Sequence, residues 1–232
     1  IDGSGGDITY SAAEAVTLSG GTLNNVAGAN SFAGALTLGA PSAIDSTAGT
    51  LTLSASIGNA GNLLTVSGAG NVTGTGVISG AGGLTKTGTG TLYLNQAANT
   101  YTGTTTISQG TLKITTLANA GADSSLGKPT GGSATILVGG GVNAGTLEFA
   151  GAGDDSTNRA VTLGSAGGTV KVSGTGSPTL ANTVTLSGGT NTFDVVSGEI
   201  LTVSGQVTGS GGLVKSGGTG TLKLTNNTNN YT

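Results

Sequence analysis

Short apolar segments that alternate with threonine recur along the whole chain. Leu36–Leu38 and Leu51–Leu53 are typical, since each places a threonine between two leucines. Side chains of a strand point alternately to its two faces, so this pattern predicts half-buried strands with the aliphatic residues inside. Glycine-rich turns such as Ser19–Gly21 and Ser187–Gly189 separate the segments, and the strands recur at intervals of roughly 10 to 20 residues, as in β-solenoids. The pattern predicts an all-β chain.

The pattern also repeats on a longer scale. Gly82–Leu94 returns as Gly211–Leu224 with one glycine inserted, and Asn99–Thr102 returns as Asn229–Thr232. A unit of about 130 residues therefore recurs, which is typical of a solenoid. A β-sandwich also has short strands, but it does not normally repeat its whole pattern, and its core usually contains aromatic residues. Aromatic residues make up only 3% of this chain.

We therefore predict one continuous parallel β-helix over residues 1–232, with no separate globular domain. Coils of about 20 residues, stacked about 4.8 Å apart, would give about eleven coils and a rod of about 50 Å. Gly90 and Gly220 precede two of the strands, and we expect a backbone constraint at both, either a positive φ or a close approach of the backbone. The residues expected inside are Leu92, Leu94, Leu112, Val170, Val172, Leu222 and Leu224.

Composition narrows the class further. The chain has 47 glycines among 232 residues but only 3 prolines and no triplet period, which excludes collagen. A mean hydropathy of +0.18 and a net charge of −3 are unlike a disordered linker. The acidic balance argues against a nucleic-acid partner, and the absence of a long apolar stretch argues against membrane insertion of this segment.

The chain begins at Ile1 rather than methionine and stops at Thr232 within a repeated motif. We expect it to be a fragment, or one unit, of a longer polypeptide. Unpaired edges of a solenoid are templates for strand addition. The expected partner is therefore continuing chain or a second copy stacked end to end.

The segment Gly82–Ile114 resembles the passenger-associated transport repeat of bacterial autotransporters. That pattern is Gly-Leu-x-Lys-x-Gly-x-Gly-Thr-Leu-x-Leu, then Asn-x-Tyr-Thr-Gly-x-Thr, then Gly-Thr-Leu. Residues 82–114 form the first copy, and residues 211–232 begin a second. The residues that carry the resemblance are Gly83, Leu84, Lys86, Gly88, Gly90–Leu92, Leu94, Asn99, Tyr101–Gly103, Thr105 and Gly110–Leu112.

The resemblance implies a right-handed parallel β-helix that is exported to the surface of a Gram-negative bacterium, attached to the outer membrane or secreted. The motif is structural and transfers no catalytic residues. We predict an extracellular stalk or fibre-forming segment that is not an enzyme and has no cofactor. One alternative is an adhesin shaft that binds glycans, other cells or a copy of itself. Another is a polysaccharide-processing β-helix enzyme.

Few residues could carry chemistry, and we assign no catalytic, cofactor-binding or metal residue. Without histidine or cysteine there is no Ser-His or Cys-His pair and no ordinary zinc site. Asp154, Asp155 and Arg159 are close in sequence and could serve a polysaccharide lyase, although Gly151–Asn158 also reads as a solvated turn. Asp2–Asp7 faintly resembles a calcium loop, but a plain glycine-rich turn is the favoured interpretation.

Four further residues recur in pairs, Lys86 with Lys215 and Tyr101 with Tyr231. They could form a basic and aromatic ladder for a ligand along the rod. The favoured interpretation is structural, with lysine covering a strand and tyrosine stapling a corner loop.

Other segments suggest turns, protrusions or side loops. Leu117–Leu126 has the composition of a short helical turn that would protrude from the rod, and Gly139–Gly141 predicts a tight turn. Binding β-helices usually carry long side loops. The candidates here, all short, are Gly68–Gly83, Leu117–Gly132 and Gly151–Arg159.

Overall fold

A computed structural model describes residues 1–12, 14–96 and 98–232. Ala97, which falls within the predicted first repeat, lies outside the described residues. The described chain is a parallel β-solenoid of ten coils, so the predicted all-β parallel β-helix is confirmed. Its right-handedness stays a prediction.

The described residues form 28 strands and one 3₁₀ helix, Gly131–Ala134. In chain order the strands are β1 (Thr9–Tyr10), β2 (Val16–Ser19), β3 (Thr22–Asn25), β4 (Ala29–Phe32), β5 (Leu36–Ala40), β6 (Ser42–Ser46), β7 (Thr50–Leu53), β8 (Ile57–Gly58), β9 (Leu64–Ser67), β10 (Asn71–Gly74), β11 (Ile78–Ser79), β12 (Leu84–Lys86), β13 (Thr91–Leu94), β14 (Thr105–Ile107), β15 (Gly110–Ile114), β16 (Ile136–Val138), β17 (Gly145–Phe149), β18 (Ser156–Thr157), β19 (Val161–Leu163), β20 (Gly168–Val172), β21 (Thr179–Leu180), β22 (Val184–Leu186), β23 (Thr190–Val195), β24 (Ile200–Val203), β25 (Val207–Gly209), β26 (Gly212–Ser216), β27 (Thr221–Leu224) and β28 (Asn230–Tyr231).

The described coils form three faces, named here in the order in which the chain visits them, and eight of the ten coils contribute a strand to all three. The first face is a ten-stranded sheet in the order β1-β4-β7-β10-β13-β15-β17-β20-β23-β26. The second face consists of two four-stranded sheets, β2-β5-β8-β11 and β18-β21-β24-β27. The third face is the ten-stranded sheet β3-β6-β9-β12-β14-β16-β19-β22-β25-β28. The second face is interrupted in the middle of the rod.

Register stacks like residues through the interior. On the first face, Leu51 pairs with Val72, Val72 with Leu92, and Leu92 with Leu112. Such ladders bury aliphatic side chains continuously along the axis, which is the main source of solenoid stability. Of the residues predicted inside, five are buried: Leu92, Leu94, Leu112, Val170 and Val172. Leu222 and Leu224 are partly buried against the same core, because no described coil covers the last one.

Three expectations from the sequence are wrong in detail. The rod has ten coils rather than about eleven, because residues 115–135 form an excursion between β15 and β16. Leu117–Leu126 forms turns instead of a helix; both end residues are buried, and residues 121–123 between them are exposed. Gly68–Gly83 is not a side loop, since it contains β10 and β11. The tight turn at Gly139–Gly141 is confirmed, with φ of +74° and +73° at its two ends.

The two copies of the long motif lie on different faces, so their residues are not equivalent in the fold. Leu84–Lys86 forms β12 on the third face, whereas Gly212–Ser216 forms β26 on the first face. From β12 the third face continues through β14, β16, β19, β22 and β25, which is five coils, and the chain then passes to β26. One repeat unit therefore spans five coils and one further face.

The glycines before the two motif strands are constrained by close approach and not by a positive φ. A Cβ at Gly90 would lie 1.8 Å from the carbonyl oxygen of Gly70, and one at Gly220 would lie 2.1 Å from that of Val195. The left-handed residues are instead Gly88, at φ +72°, and Gly217, at φ +86°. The predicted constraint is present, and its cause is the backbone of the coil below.

Candidate functional site

An open groove of about 300 Å³ lies on the outer surface of the first face. The strands β7, β10, β13, β15 and β17 each contribute to it, and each does so because alternation turns its threonine or polar residue outward. We call it the Tyr93 groove. Its lining residues are Thr50, Asn71, Val72, Thr73, Thr91, Tyr93, Lys113 and Glu148.

Two parallel ranks of side chains border the groove. One rank runs from Thr50 to Asn71, and the Oδ1 of Asn71 accepts a hydrogen bond of 3.0 Å from the backbone N–H of Thr91. The other rank places Thr73, Tyr93, Lys113 and Glu148 on successive coils by strand register. Neighbouring coils bring each residue of a rank about 4.8 Å from the next, so the ranks are regular along the axis.

Direct contacts hold the second rank in place. The Nζ of Lys113 lies 5.3 Å from the centroid of the Tyr93 ring and 3.5 Å from Oε1 of Glu148. The Tyr93 hydroxyl donates to Oδ1 of Asn95 at 3.2 Å. Glu148 also accepts a hydrogen bond of 2.6 Å from the hydroxyl of Ser173, and Lys171 approaches it at 4.0 Å. The rank combines an aromatic ring with a neutralised pair of charges.

Sequence reasoning missed this groove, although a signal for it exists. Four segments share the form Gly-Thr-aliphatic-x-apolar, and they lie on successive coils of the first face. The variable position of each segment points outward, which stacks Tyr93, Lys113, Glu148 and Lys171 in one line. Aligning the four segments at their glycines, Gly90, Gly110, Gly145 and Gly168, would have predicted that line.

The structure separates the three residues considered for polysaccharide chemistry. Asp154 accepts a hydrogen bond from the backbone N–H of Ser177, and Asp155 accepts one from the backbone N–H of Leu117, both at 2.8 Å. Arg159 points into the interior and is only 2% exposed. Two carboxylates that hold neighbouring loops and a cation that faces inward do not form an acid–base site.

Arg159 instead fastens the excursion of residues 115–135 to the rod. Its Nε donates to the carbonyl of Ala134 at 2.8 Å, and its Nη1 donates to that of Leu126 at 2.9 Å. Burial lowers the pKa of this guanidinium, and among the described residues its Nη2 finds no hydrogen-bond partner. The predicted turn Gly151–Asn158 is mostly exposed, as expected of a solvated turn, but the arginine that follows it is structural.

The glycine-rich segment Asp2–Asp7 uses its carboxylates on the backbone. Asp2 accepts a hydrogen bond of 3.0 Å from the N–H of Ser4, and Asp7 accepts one of 2.8 Å from the N–H of Ala29. Across the described residues, no three acidic, histidine or cysteine side chains gather as a metal site would require.

The motif lysines and tyrosines do not form an external ladder. Lys86 points inward between Val66 and Ile107, is 1% exposed, and donates to the carbonyls of Thr87 and Gly88 at 2.5 and 2.8 Å. Its burial lowers its pKa to about 8. The lysine therefore closes a corner from inside rather than covering a strand from outside.

Lys215 makes a similar contact on its own face, since it donates to the carbonyl of Gly218 at 3.1 Å. Tyr101 is fully buried and shares a hydrogen bond of 2.8 Å with the hydroxyl of Thr105, whereas Tyr231 is partly exposed. Burial raises the pKa of Tyr101 to about 12. The corner-stapling role predicted for tyrosine is confirmed at Tyr101.

Along the described chain, no helix is long and apolar enough to cross a membrane.

Comparison with known families identifies one repeat. A family described as the passenger-associated-transport-repeat matches residues 84–114. This match confirms, over residues 84–114, the resemblance seen in the sequence. The second copy, residues 211–232, stays a prediction.

The chain is also similar to a protein named Adhesin BmaC autotransporter from Brucella suis biovar 1 (strain 1330). The two are 40% identical over 80 residues, which cover 34% of this chain and 2% of that protein. The chain therefore corresponds to a very small part of the length of this relative. No solved structure matches the chain.

Proposed function

We propose that this chain, an autotransporter-type passenger β-helix by its repeat and its fold, is a shaft segment of a protein displayed at the surface of a Gram-negative bacterium. Display at the surface is proposed from the transport repeat at residues 84–114 and from the local similarity to a protein named an autotransporter adhesin. Attachment to the outer membrane is part of the same proposal. The chain acts as a spacer and has no enzymatic role.

One observation carries the shaft role: the interior ladders run in register through ten coils. Every coil pairs with the next by parallel hydrogen bonding, from β1 to β26 on the first face and from β3 to β28 on the third. A rod built this way has a length set by the number of coils, about 4.8 Å each. It resists bending because its hydrogen bonds lie along the axis.

The last coil supports a continuing rod. Leu222 and Leu224 of β27 are only partly buried against the core, whereas their register partners Leu201 and Val203 are fully buried. Half-covered aliphatic residues beside unpaired strand edges favour one more coil above them. We propose that a further coil covers them, supplied by continuing chain or by a second copy.

Removal of one whole coil tests the shaft role. Leu163 and Leu186 are register partners, so deletion of residues 164–186 rejoins the chain one coil lower with the ladders intact. In the full-length protein we expect normal surface display, measured with an antibody on intact cells, and a rod shorter by about 4.8 Å. The matched control, deletion of residues 164–174, cuts a coil in half and should abolish display.

The results separate a spacer from a functional centre. If the in-register deletion is displayed like the intact protein, length is the property that the coil supplies. Loss of display in both deletions, or loss of all adhesion with display unchanged, would contradict a passive shaft.

A further inference from the structure

We propose that the Tyr93 groove binds a neutral oligosaccharide. This inference goes beyond the shaft role and does not rest on it, because a rod without any ligand would serve equally as a spacer. It depends on which groups line the groove, on the balance of their charges and on the shape of the groove.

The lining offers the donors and acceptors that sugar hydroxyls require. Thr50, Thr73 and Thr91 are partly exposed and each presents a hydroxyl, which both donates and accepts. Asn71 is exposed, and the bond from its Oδ1 to the N–H of Thr91 fixes its amide while its Nδ2 donors remain for a ligand. Closely spaced neutral polar groups of this kind suit a polyol better than an apolar ligand.

Tyr93 adds an apolar surface at the centre of these groups. Its ring stands in the outward rank between Thr73 and Lys113, and the contact with Lys113 and the hydroxyl bond to Asn95 restrict its motion. Pyranose rings present C–H groups that pack on aromatic rings, and a ring already held in place loses little entropy on binding.

The charges of the groove indicate a neutral ligand. Lys113 and Glu148 are its charged lining residues, and they form an ion pair at 3.5 Å. Glu148 has further cationic and hydroxyl partners in Lys171 and Ser173. A phosphorylated or sulfated ligand would meet a compensated lysine beside a carboxylate, so charge does not favour it. A metal ion would find a single carboxylate that is already paired.

The shape of the groove favours an extended chain. It spans five adjacent strands, from β7 to β17, which is four steps of about 4.8 Å, or roughly 19 Å along the axis. An apolar peptide would need exposed aliphatic pockets, whereas the aliphatic lining residue, Val72, is 1% exposed. An oligosaccharide of several rings matches both the length and the polar walls.

Titration of the whole chain with three neutral probes tests the proposal. Cellohexaose, maltohexaose and N-acetylchitohexaose would each be added to protein with labelled threonine methyl groups, and a heparin hexasaccharide would serve as the anionic probe. We expect saturable shifts at Thr50, Thr73 and Thr91 with at least one neutral probe, unchanged by added salt.

Matched variants make the test specific to the groove. Thr91→Val and Tyr93→Ala should each weaken binding about tenfold or more, which is the scale of one lost aromatic or polar contact. Thr192 of β23 lies in the same outward rank as Thr91 but outside the groove. Thr192→Val should therefore leave binding unchanged. Thermal melts would establish that all three variants fold.

Three results would overturn the proposal. The first is the absence of a saturable shift with any neutral probe up to about 5 mM, a concentration that would reveal weak millimolar binding. The second is binding that Tyr93→Ala leaves intact. The third is salt-sensitive binding of the heparin probe alone. The oligosaccharide titration uses the unshortened chain, because the deletion of residues 164–186 removes Lys171 and Ser173 beside Glu148. The two tests read different properties, ligand-induced shifts and surface display, so failure of the groove and failure of the shaft role can be told apart.

Discussion

The buried lysine of the transport repeat should make the stability of the rod depend on pH in an unusual direction. Lys86 lies inside the solenoid with a pKa lowered to about 8, compared with 10.5 for a free lysine. Between these pH values the unfolded chain binds a proton that the folded chain has released. Stability therefore rises with pH across this window, because the unfolded state binds more protons. Below pH 8 both states are protonated, and the dependence ends.

The size of the effect follows from the shift. Each pH unit within the window changes the free energy of unfolding by up to about 1.4 kcal/mol. From pH 8 to pH 10 the gain should therefore be about 2 to 3 kcal/mol. For a chain of this size that raises the Tm by roughly 5–10 °C.

Tyr101 sets the upper end of the pH range over which stability rises. Burial raises its pKa to about 12 from an ordinary 10.0. Above pH 10 the unfolded chain releases a proton that the folded chain keeps, so this stability is lost as pH rises from 10 towards 12. The Tm should accordingly reach a maximum near pH 10.

The dependence of Tm on pH can be measured by circular dichroism. Thermal unfolding would be followed at constant ionic strength, in unit steps from pH 7 to pH 11. Lys86→Met keeps an unbranched apolar side chain between Val66 and Ile107 and should flatten the rise between pH 8 and pH 10. Lys215→Met changes the matching motif position on the first face and should keep the rise, because Lys86 remains. A Tm that is constant or falls from pH 8 to pH 10 in the unchanged chain would refute the reasoning.

Three further predictions follow from backbone approach, internal bonding and the last coil. Gly90→Ala should lower the free energy of unfolding by about 2 kcal/mol or more in chemical unfolding, because its Cβ would meet the coil below. Gly21 has open space around it, so Gly21→Ala should lower it by less than about 1 kcal/mol. Equal losses would contradict the close approach. Arg159→Leu should destabilise the chain by about 2 kcal/mol and expose residues 115–135 to a broad-specificity protease, and an unchanged cleavage rate would show that the excursion is held otherwise. The chain produced alone should associate at tens of micromolar in sedimentation, and Leu222→Lys with Leu224→Lys should restore the monomer; a monomeric unchanged chain would contradict stacking.

The alternation of leucine and threonine was sufficient to predict the strands and their inner faces. Leu92 and Leu94 are buried while Tyr93 points outward, because period-two alternation on a stacked strand leaves one arrangement that buries the leucines. The repeated motif likewise predicted a solenoid. These features depend on local pattern, which a single sequence contains.

The features that were missed depend on how many residues each coil holds. Paired residues are 21 apart between Leu51 and Val72 but 35 apart between Leu112 and Leu147. Sequence pattern does not specify the longer excursion, and so it could not predict that Lys86 and Lys215 lie on different faces. The structural role of Arg159 was missed for the same reason, since its guanidinium binds the excursion of residues 115–135.

Distances between spin labels along the outer rank of the first face test the rigid parallel rod most directly. The chain contains no cysteine, so Thr52→Cys and Asp194→Cys can carry the labels without interference. These residues are six register steps apart, which is roughly 29 Å at about 4.8 Å a step. We expect a single narrow distance distribution that shortens by about 5 Å when Thr73→Cys replaces Thr52→Cys. A broad distribution, or equal distances for the two pairs, would contradict the rod.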